Sequence, residues 1–169
     1  MPVLYLTCGL PGSGKTSLAK IIEREAPALR LTGDDWMHKL YPGISTPEAE
    51  TGPCRGRVEM VQWEVARRTV RLGCNVVVDW GVWSRTERDT LRQEVRPLGA
   101  QIVLCFLDAS FEKLWHRISR RNDALPAGTF DISRSDLLRW SKLFEPPTKD
   151  EMALFDPPDR WLAAHLRNH

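Results

Sequence analysis

The sequence predicts an α/β fold with a mostly parallel sheet, in a single domain over residues 1–169. Short apolar segments alternate along the chain with amphipathic segments of helical period. This alternation is typical of βαβ units joined by right-handed crossovers. A glycine-rich turn at residues 9–16 follows the first apolar segment at once, and a helical stripe follows the turn. A chain of 169 residues is also long enough to bury one well-packed core.

The composition is that of a globular protein with no strong electrostatic preference for nucleic acid or membranes. Hydrophobic residues make up 42% of the chain, charged residues 27%, and the formal net charge is +2. No apolar segment has the length of a membrane span, and the first residues lack the pattern of a secretion signal. The cysteines form no C-x-x-C pair, which favours reduced thiols in a cytoplasmic protein. They are Cys8, Cys54, Cys74 and Cys105.

Apolar runs predict the strands and 3.6-residue periodicity predicts the helices. The predicted strands are residues 3–8, 28–33, 74–79 and 101–108. The predicted helices are residues 15–26, a segment beginning near Trp36, and residues 58–72, 84–98, 110–121 and 134–144, with a short helix at the end of the chain. Residues 42–57, with three prolines and three glycines, and residues 127–133 are predicted loops. Ser84 and Glu87 fit a capping box at the start of their helix.

The segment GLPGSGKT at residues 9–16 fits the phosphate-binding pattern G-x-x-x-x-G-K-[ST]. It lies between a predicted strand and a predicted helix, which is the context that the motif requires. Backbone N–H groups and the helix dipole would then converge on a phosphate, with Lys15 on the β and γ oxygens and Thr16 on Mg²⁺. The sequence therefore predicts ATP and Mg²⁺ as ligands. The predicted nucleotide-binding residues are Gly9, Pro11, Gly12, Ser13, Gly14, Lys15, Thr16 and Ser17.

Two neighbouring carboxylates, Asp34 and Asp35, follow the second predicted strand. Functional groups collect beyond the carboxyl ends of parallel strands, so both are expected to face the phosphate loop. A kinase needs such a carboxylate to accept the proton of its substrate hydroxyl. The alternative is that one of them caps the helix that begins near Trp36. We expect at least one to be catalytic, and the residues alone leave open which one.

The third predicted strand ends in Asp79, which we expect to hold Mg²⁺ together with Thr16. The alternative is a polar residue that only ends the strand. Trp80 and Trp83 follow directly and are candidates for the wall of an organic acceptor site, although core packing is an equal alternative. Arg85 is a further candidate contact for the acceptor, against the simpler interpretation of an exposed helix face.

Three arginines crowd one side of a predicted helix end: Arg117, Arg120 and Arg121. Spacings of three and four residues bring them together, and such like charges repel unless an anion lies between them. We expect them to form part of a lid over residues 120–133. There Arg117 and Arg121 would bind the phosphates and Arg120 would stabilise the developing charge. The alternative is a solvated cationic helix end that the helix dipole favours.

Taken together, these motifs resemble the small P-loop kinases that include polynucleotide 5′-kinase, chloramphenicol phosphotransferase and the zeta-toxin-like kinases. The resemblance runs from residue 3 to about residue 122 through GLPGSGKT, LTGDDW, VVVDWGVWSRTERD and RISRRN. It implies a three-layer fold with a five-stranded parallel sheet of order 2-3-1-4-5. It also implies that the acid after the second strand is the general base, that the third-strand motif lines the acceptor pocket, and that adenine lies near residues 144–151. Alignment with polynucleotide kinases favours Asp34 as the base, and alignment with the chloramphenicol enzyme favours Asp35.

One departure from the family pattern bears on the acceptor. Polynucleotide kinases carry an arginine shortly after the acid pair, where this chain has Met37, His38 and Lys39. This departure and the tryptophans Trp36, Trp80 and Trp83 favour a small organic acceptor with a hydroxyl group. The expected function is ATP-dependent transfer of a phosphoryl group to a metabolite or an antibiotic-like compound. The alternatives are a nucleic-acid or nucleoside 5′-hydroxyl kinase and a nucleotide-binding ATPase without an acceptor.

Overall fold

Parallel strands form the central sheet of the structure, a computed structural model that describes residues 1–42, 52–124 and 130–167. The strands are β1 (Val3–Cys8), β2 (Ala28–Thr32), β3 (Asn75–Asp79) and β4 (Gln101–Phe106). Their order is β2-β3-β1-β4, and β1 pairs in parallel with β3 and β4. The predicted parallel α/β sheet is confirmed. This order brings the carboxyl ends of β1, β2 and β3 side by side.

Helices cover both faces of this sheet because successive strand residues point to opposite sides. Tyr5 and Val77 belong to a core cluster with residues of the first and last helices, whereas Leu4 and Val76 belong to a cluster with two of the middle helices. The helices are α1 (Lys15–Glu25), α2 (Gly33–Leu40), α3 (Gly52–Arg71), α4 (Arg85–Val95), α5 (Phe111–Ala124), α6 (Arg134–Leu143), α7 (Lys149–Met152) and α8 (Arg160–Arg167), with a 3₁₀ turn at Arg96–Leu98. No helix in the described ranges is long and apolar enough to cross a membrane.

The fifth strand is not present among the described residues, so the expected five-stranded sheet is corrected to four strands. Beside β4 runs the segment that contains Asp156. The Asp156 N–H donates to the Ile102 carbonyl at 2.8 Å, and Asp156 Oδ2 accepts from the Ile102 N–H at 2.8 Å. The carboxylate of Asp156 thus takes the place of the backbone carbonyl that a paired strand would offer to Ile102. Pro157 and Pro158 follow and lack the N–H groups that a strand ladder needs.

Two helix starts differ from the prediction. Helix α3 begins at Gly52, so the predicted loop is wrong for residues 52–57, while residues 43–51 lie outside the described ranges. Pro53 falls in the first turn of α3, where a missing N–H costs no helical hydrogen bond. Helix α2 begins at Gly33, directly after β2, and Thr32 holds the N-cap position without a side-chain cap bond. The capping interpretation of the acid pair is therefore wrong.

The segment predicted as a lid contains the end of α5, which continues to Ala124. Residues 130–133 are in neither helix nor strand, and residues 125–129 lie outside the described ranges. Helix α6 then begins with a capping box, in which the Ser133 hydroxyl accepts from the Asp136 N–H at 3.1 Å. The lid itself stays a prediction.

Candidate nucleotide and acceptor site

The phosphate loop connects β1 to α1, and glycines in the left-handed region shape it. The φ angles of Gly9, Gly12 and Gly14 are +141°, +81° and +103°. Gly14 immediately precedes α1, so the unpaired N–H groups of the first helical turn lie at the loop. The N–H of Gly9 donates to the Gly81 carbonyl at 3.2 Å, which ties the loop to the turn after β3. This loop has the backbone shape that a phosphate-binding site needs.

We expect Gly9→Ala to lower the free energy of unfolding by about 1–3 kcal/mol. A Cβ on Gly9 would lie 2.6 Å from the backbone oxygen of Leu107 and 2.9 Å from the Ser13 Oγ, at a φ of +141°. Gly56→Ala is the matched control, because no atom lies within 4 Å of a Cβ at this position in α3 and alanine favours helices. Urea unfolding of the two variants measures the difference. Equal stabilities would contradict the tight packing of the loop.

Cations surround the phosphate loop. Lys15 Nζ donates to the Leu10 carbonyl at 2.9 Å, and Arg117 Nη1 donates to the carbonyls of Gly12 and Ser13 at 3.2 and 3.3 Å. Burial lowers the pKa of Lys15, and the nearby carboxylates Asp79 and Asp34 oppose this shift. A phosphate beside Lys15 would favour its charged form in the same way.

Asp79 lies at the end of β3 and is 6% exposed. Its Oδ2 accepts from the Thr32 hydroxyl at 3.1 Å, and the Thr16 side chain lies beside it. Burial raises the pKa of Asp79, whereas the side chains of Thr16, Lys15 and Thr32 lower it. The hydroxyl of Thr16 and the carboxylate of Asp79 are thus adjacent. Hard oxygen ligands of this kind suit Mg²⁺.

Magnesium bound in this way would need ligands from a nucleotide as well. Among the described residues, no group of three or more His, Cys, Asp and Glu side chains could hold a metal ion. Mg²⁺ is usually bound through one or two carboxylates together with substrate phosphates and water. Thr16 and Asp79 therefore fit a metal that is shared with a triphosphate.

A cavity of about 990 Å³ opens beside the phosphate loop and joins most of the predicted site residues. Its volume is at the upper end of the range for small-molecule sites. Predicted residues that line it are Pro11, Gly12, Gly14, Lys15, Thr16, Ser17, Asp34, Asp35, Asp79, Trp80, Trp83, Arg117 and Arg121. The structure thus places the acid pair, Asp79 and the phosphate loop around one space.

The two neighbouring aspartates have different partners. Asp34 Oδ1 lies 2.7 Å from Arg55 Nη2, and Asp35 Oδ2 lies 3.2 Å from Arg30 Nη1. The charge of Asp34 also raises the pKa of three groups on the phosphate side, namely Lys15, Asp79 and Arg121. The charge of Asp35 raises the pKa of Arg30. Asp34 is thus coupled to the groups of the phosphate loop, and Asp35 is paired on the side of Arg30.

Arg121 is partly buried in the cavity wall, where its Nη2 donates to the Phe130 carbonyl at 3.2 Å. Burial lowers the pKa of Arg121, and the charges of Asp34 and Asp131 oppose this. Its Nε is buried and has no hydrogen-bond partner among the described residues. The described residues therefore satisfy the Arg121 guanidinium only in part.

Glu59 also lines the cavity, on the side of Asp34 and Arg55. Glu59 lies one turn after Arg55 on α3, with Oε1 3.8 Å from Arg55 Nη1. Burial raises the pKa of Glu59 to about 7, and Arg55 opposes this rise while Glu87 and Asp34 add to it. Glu59 therefore changes its charge near neutral pH.

We expect Glu59→Gln to stabilise the fold at pH 8 and to have little effect at pH 4.5. A raised pKa means that the folded protein holds the proton more tightly than the unfolded chain. Stability therefore falls as the pH rises from about 4.5 to about 7, and the loss, of the order of 1–3 kcal/mol, persists above that range. Urea unfolding at both pH values, with Glu64→Gln on the exposed face of α3 as control, tests this. A stability gain that is equal at both pH values would contradict it.

Aromatic side chains form one wall of the cavity. Trp80 Nε1 donates to Gln62 Oε1 at 2.8 Å, and Trp83 packs against Trp140 with ring centroids 5.9 Å apart. Trp80 is 7% exposed. Core packing and lining of the cavity were predicted as alternatives. Trp80 does both, since it belongs to a core cluster and, like Trp83, lines the cavity.

The turn that carries Trp83 is strained and is held by a buried ion pair. Val82 has a φ of +38°, which is unfavourable for a β-branched residue. Its carbonyl accepts from Arg88 Nη1 at 3.0 Å. Arg88 also contacts Glu151 through two hydrogen bonds of 2.5 and 3.0 Å, and both side chains are almost fully buried. The Ser84 half of the predicted capping box is confirmed in the same turn, because Ser84 Oγ accepts from the Glu87 N–H at 3.1 Å. The Glu87 carboxylate accepts from the Trp83 N–H at 2.8 Å instead of from Ser84.

The structure does not bring every predicted residue to the cavity. Trp36 packs between two core clusters. Arg85 is exposed, with its Nε 3.6 Å from Asp89 Oδ2, and Arg120 is exposed as well. None of the three lines the cavity within the described part of the chain. Gly9 and Ser13 of the phosphate loop do not line the large cavity either, and Ser13 lines a small separate cavity of about 110 Å³.

Sequence reasoning missed several lining residues. They are Lys20, Arg55, Glu59, Glu87, Phe130, Ile132 and Trp140. Arg55 was missed because its segment, rich in proline and glycine, predicts a loop, although the i, i+4 spacing of Arg55 and Glu59 fits a helix face. Phe130 and Trp140 carry no motif and reach the cavity only through the packing of α5 and α6.

Comparison with known proteins agrees with this architecture. The sequence model of the AAA_33 family, described as an AAA domain, matches residues 4–147. No curated protein sequence matches the chain. A gluconokinase from Sinorhizobium meliloti is similar in structure, with a TM-score of 0.57, 22% identity, and coverage of 99% of this chain and 95% of that chain.

Two further structures have the same fold. Kti12 of Chaetomium thermophilum, in complex with ADP-AlF3, has a TM-score of 0.67 at 17% identity and covers 98% of this chain and 95% of its own. A chain of the Pnkp1/Rnl/Hen1 RNA repair complex has a TM-score of 0.66 at 23% identity, over 84% of this chain and 43% of that chain. Their low identities make these likenesses of fold alone.

Proposed function

Because the chain belongs to the AAA-domain family and its structural neighbours are P-loop kinases, we propose that it transfers the γ-phosphoryl group of ATP to a hydroxyl of a small organic molecule. One observation carries this proposal: Asp34 lies in the same cavity as the phosphate loop. A P-loop protein that only hydrolyses ATP needs to position water, whereas a kinase needs a carboxylate beside an acceptor pocket. The aromatic wall gives this cavity a surface for an organic acceptor.

The residues would share the reaction as follows. The backbone of the phosphate loop, Lys15 and Arg117 bind the phosphates, and Arg121 covers them. The acceptor oxygen forms a bond to the γ-phosphorus, the bond from that phosphorus to the bridging oxygen breaks, and ADP leaves. Asp34 accepts the hydroxyl proton. Arg120, which is exposed, could join the phosphates only if the end of α5 moved toward the cavity.

Mg²⁺ fits the pair formed by Thr16 and Asp79, as described above. When bound there, it would neutralise charge on the β and γ oxygens. Asp79 itself accepts from the Thr32 hydroxyl, and the Thr16 side chain at the start of α1 lies beside it. The nucleotide and the metal thus use the carboxyl ends of β1 and β3, and the acceptor uses the side of β2.

The experiment is a transfer screen with γ-labelled ATP. The acceptors are sugars, sugar acids, amino sugars, nucleosides, aminoglycosides, chloramphenicol and a 5′-hydroxyl oligonucleotide. Label in a small acceptor supports the proposal. Label only in the oligonucleotide, with steep salt dependence, would favour the nucleic-acid alternative. Release of labelled phosphate at the same rate with every acceptor would favour the ATPase alternative and overturn the proposal.

A further inference from the structure

The cations that line the cavity are unevenly distributed. Of the described lining residues, Lys15 and Lys20 lie on α1, Arg117 and Arg121 lie on α5, and Arg55 lies on α3. Helices α1 and α5 flank the phosphate loop, so their cations serve the triphosphate. Arg55 is on the opposite side, next to the candidate base. Its charge therefore has no role in binding ATP as proposed above.

The surroundings of Arg55 belong to the acceptor end of the cavity. Its Nη1 and the Cδ1 of Trp80 lie 3.5 and 3.6 Å from the position that a Cβ on Gly33 would take. Its guanidinium carbon lies 5.9 Å from the ring centre of Phe130. Trp80, Phe130 and Arg55 thus meet around one space, with 31% of the Arg55 side chain exposed. A guanidinium beside aromatic rings is well suited to a carboxylate or a phosphate, because it can bind two oxygens of either group with two N–H donors.

The contact between Arg55 and Asp34 conflicts with catalysis unless it is broken. Arg55 Nη2 lies 2.7 Å from Asp34 Oδ1. While the guanidinium holds this oxygen, Asp34 cannot use it to accept a hydroxyl proton. Both side chains are accessible, with 51% of the Asp34 side chain exposed, and an ion pair of this kind contributes little to stability. A ligand anion can therefore compete with Asp34 for Arg55.

Resting on the proposed kinase function, we infer that Arg55 binds an anionic group of the acceptor and that the acceptor is a hydroxylated oxyanion, a carboxylate or a phosphate. The anionic group of the acceptor replaces Asp34 as the partner of Arg55. Asp34 is then free to accept the proton of the acceptor hydroxyl. Glu59, 3.8 Å from Arg55, is a second and weaker competitor for the same guanidinium. The acceptor thus completes its own catalytic site, and neutral alcohols of the same shape do not.

The test uses pairs of probes that differ in the anionic group alone. Gluconate is compared with sorbitol, and glycerol 3-phosphate with glycerol, so that the two pairs separate carboxylate from phosphate. Binding is followed by tryptophan fluorescence in the presence of a non-hydrolysable ATP analogue, since Trp80 and Trp83 line the cavity. Transfer from γ-labelled ATP is measured in parallel. The proteins are the wild type, Arg55→Gln, Arg55→Lys and, as control, Arg57→Gln, an exposed position on the same helix.

We expect the anionic member of at least one pair to bind at least tenfold more tightly than its neutral counterpart. Arg55→Gln should remove this preference, Arg55→Lys should keep part of it, and Arg57→Gln should keep all of it. The inference is overturned if the wild type binds neither anion more tightly, or if Arg55→Gln weakens both members of a pair equally. Arg55-dependent anion binding without transfer to any acceptor would refute the proposed kinase and leave Arg55 as an anion-binding residue only.

Discussion

Asp34→Asn is expected to lower kcat for phosphoryl transfer by about 10²–10⁴-fold while ATP binds as before, because general-base catalysis contributes a factor of this size. The substitution keeps the shape of the side chain and removes its ability to accept a proton. ATP affinity should persist, since the proposed nucleotide contacts come from the phosphate loop and Arg117, whereas Asp34 pairs with Arg55. Transfer kinetics and a separate nucleotide-binding titration measure the two effects.

Asp35→Asn is the matched control for this prediction. Asp35 pairs with Arg30 at 3.2 Å, and 44% of its side chain is exposed. We expect this variant to keep a rate close to that of the wild type. If Asp35→Asn were inactive and Asp34→Asn fully active, the assignment of the base to Asp34 would be wrong and the alignment with the chloramphenicol enzyme would be the better guide.

Arg88→Met is expected to lower the free energy of unfolding by about 3–5 kcal/mol, the largest stability effect that the structure implies. The substitution leaves Glu151 as a charge that is 1% exposed and without its bidentate partner. It also removes the donor to the Val82 carbonyl. Urea unfolding measures the loss. Arg24→Met is the control, because the Arg24–Glu25 pair is exposed and such pairs contribute about 0–1 kcal/mol.

The double variant Arg88→Met with Glu151→Met separates the two causes. Replacing both members of a buried ion pair by apolar residues is often close to neutral, so the double variant should recover most of the lost stability. A double variant no more stable than Arg88→Met would mean that the bond to Val82, and not the buried charge, dominates. In that case the strained turn before Trp83 depends on Arg88 directly.

Local patterns predicted the parts of this fold that depend on short-range chemistry. GLPGSGKT predicts the phosphate loop because glycines at 9, 12 and 14 are needed at positive φ, and the apolar runs predict the four observed strands. The prediction of a fifth strand was wrong. Beside β4, the Asp156 carboxylate takes the place of one backbone partner, and Pro157 and Pro158 lack the N–H groups that a strand needs. The family pattern could not reveal this, since it depends on how the end of the chain meets the sheet.

The acceptor side of the site depends on long-range packing, and this is why the sequence predicted it less well. Arg55 and Asp34 are 21 residues apart and belong to different helices. Their contact arises only because α3 begins six residues earlier than the loop composition suggests and then packs against α2. Likewise Trp140 reaches the cavity through α6, whose position no motif specifies. The phosphate loop, by contrast, lies within one continuous motif.

The central claim is that the γ-phosphoryl group passes to a hydroxyl that Asp34 activates. Its most direct test is the distribution of label after turnover of γ-labelled ATP with the best acceptor of the screen. We predict one labelled acceptor molecule for each ADP formed, and a loss of that product in Asp34→Asn. Label that accumulates as inorganic phosphate at a rate independent of acceptor and unchanged by Asp34→Asn would contradict the claim.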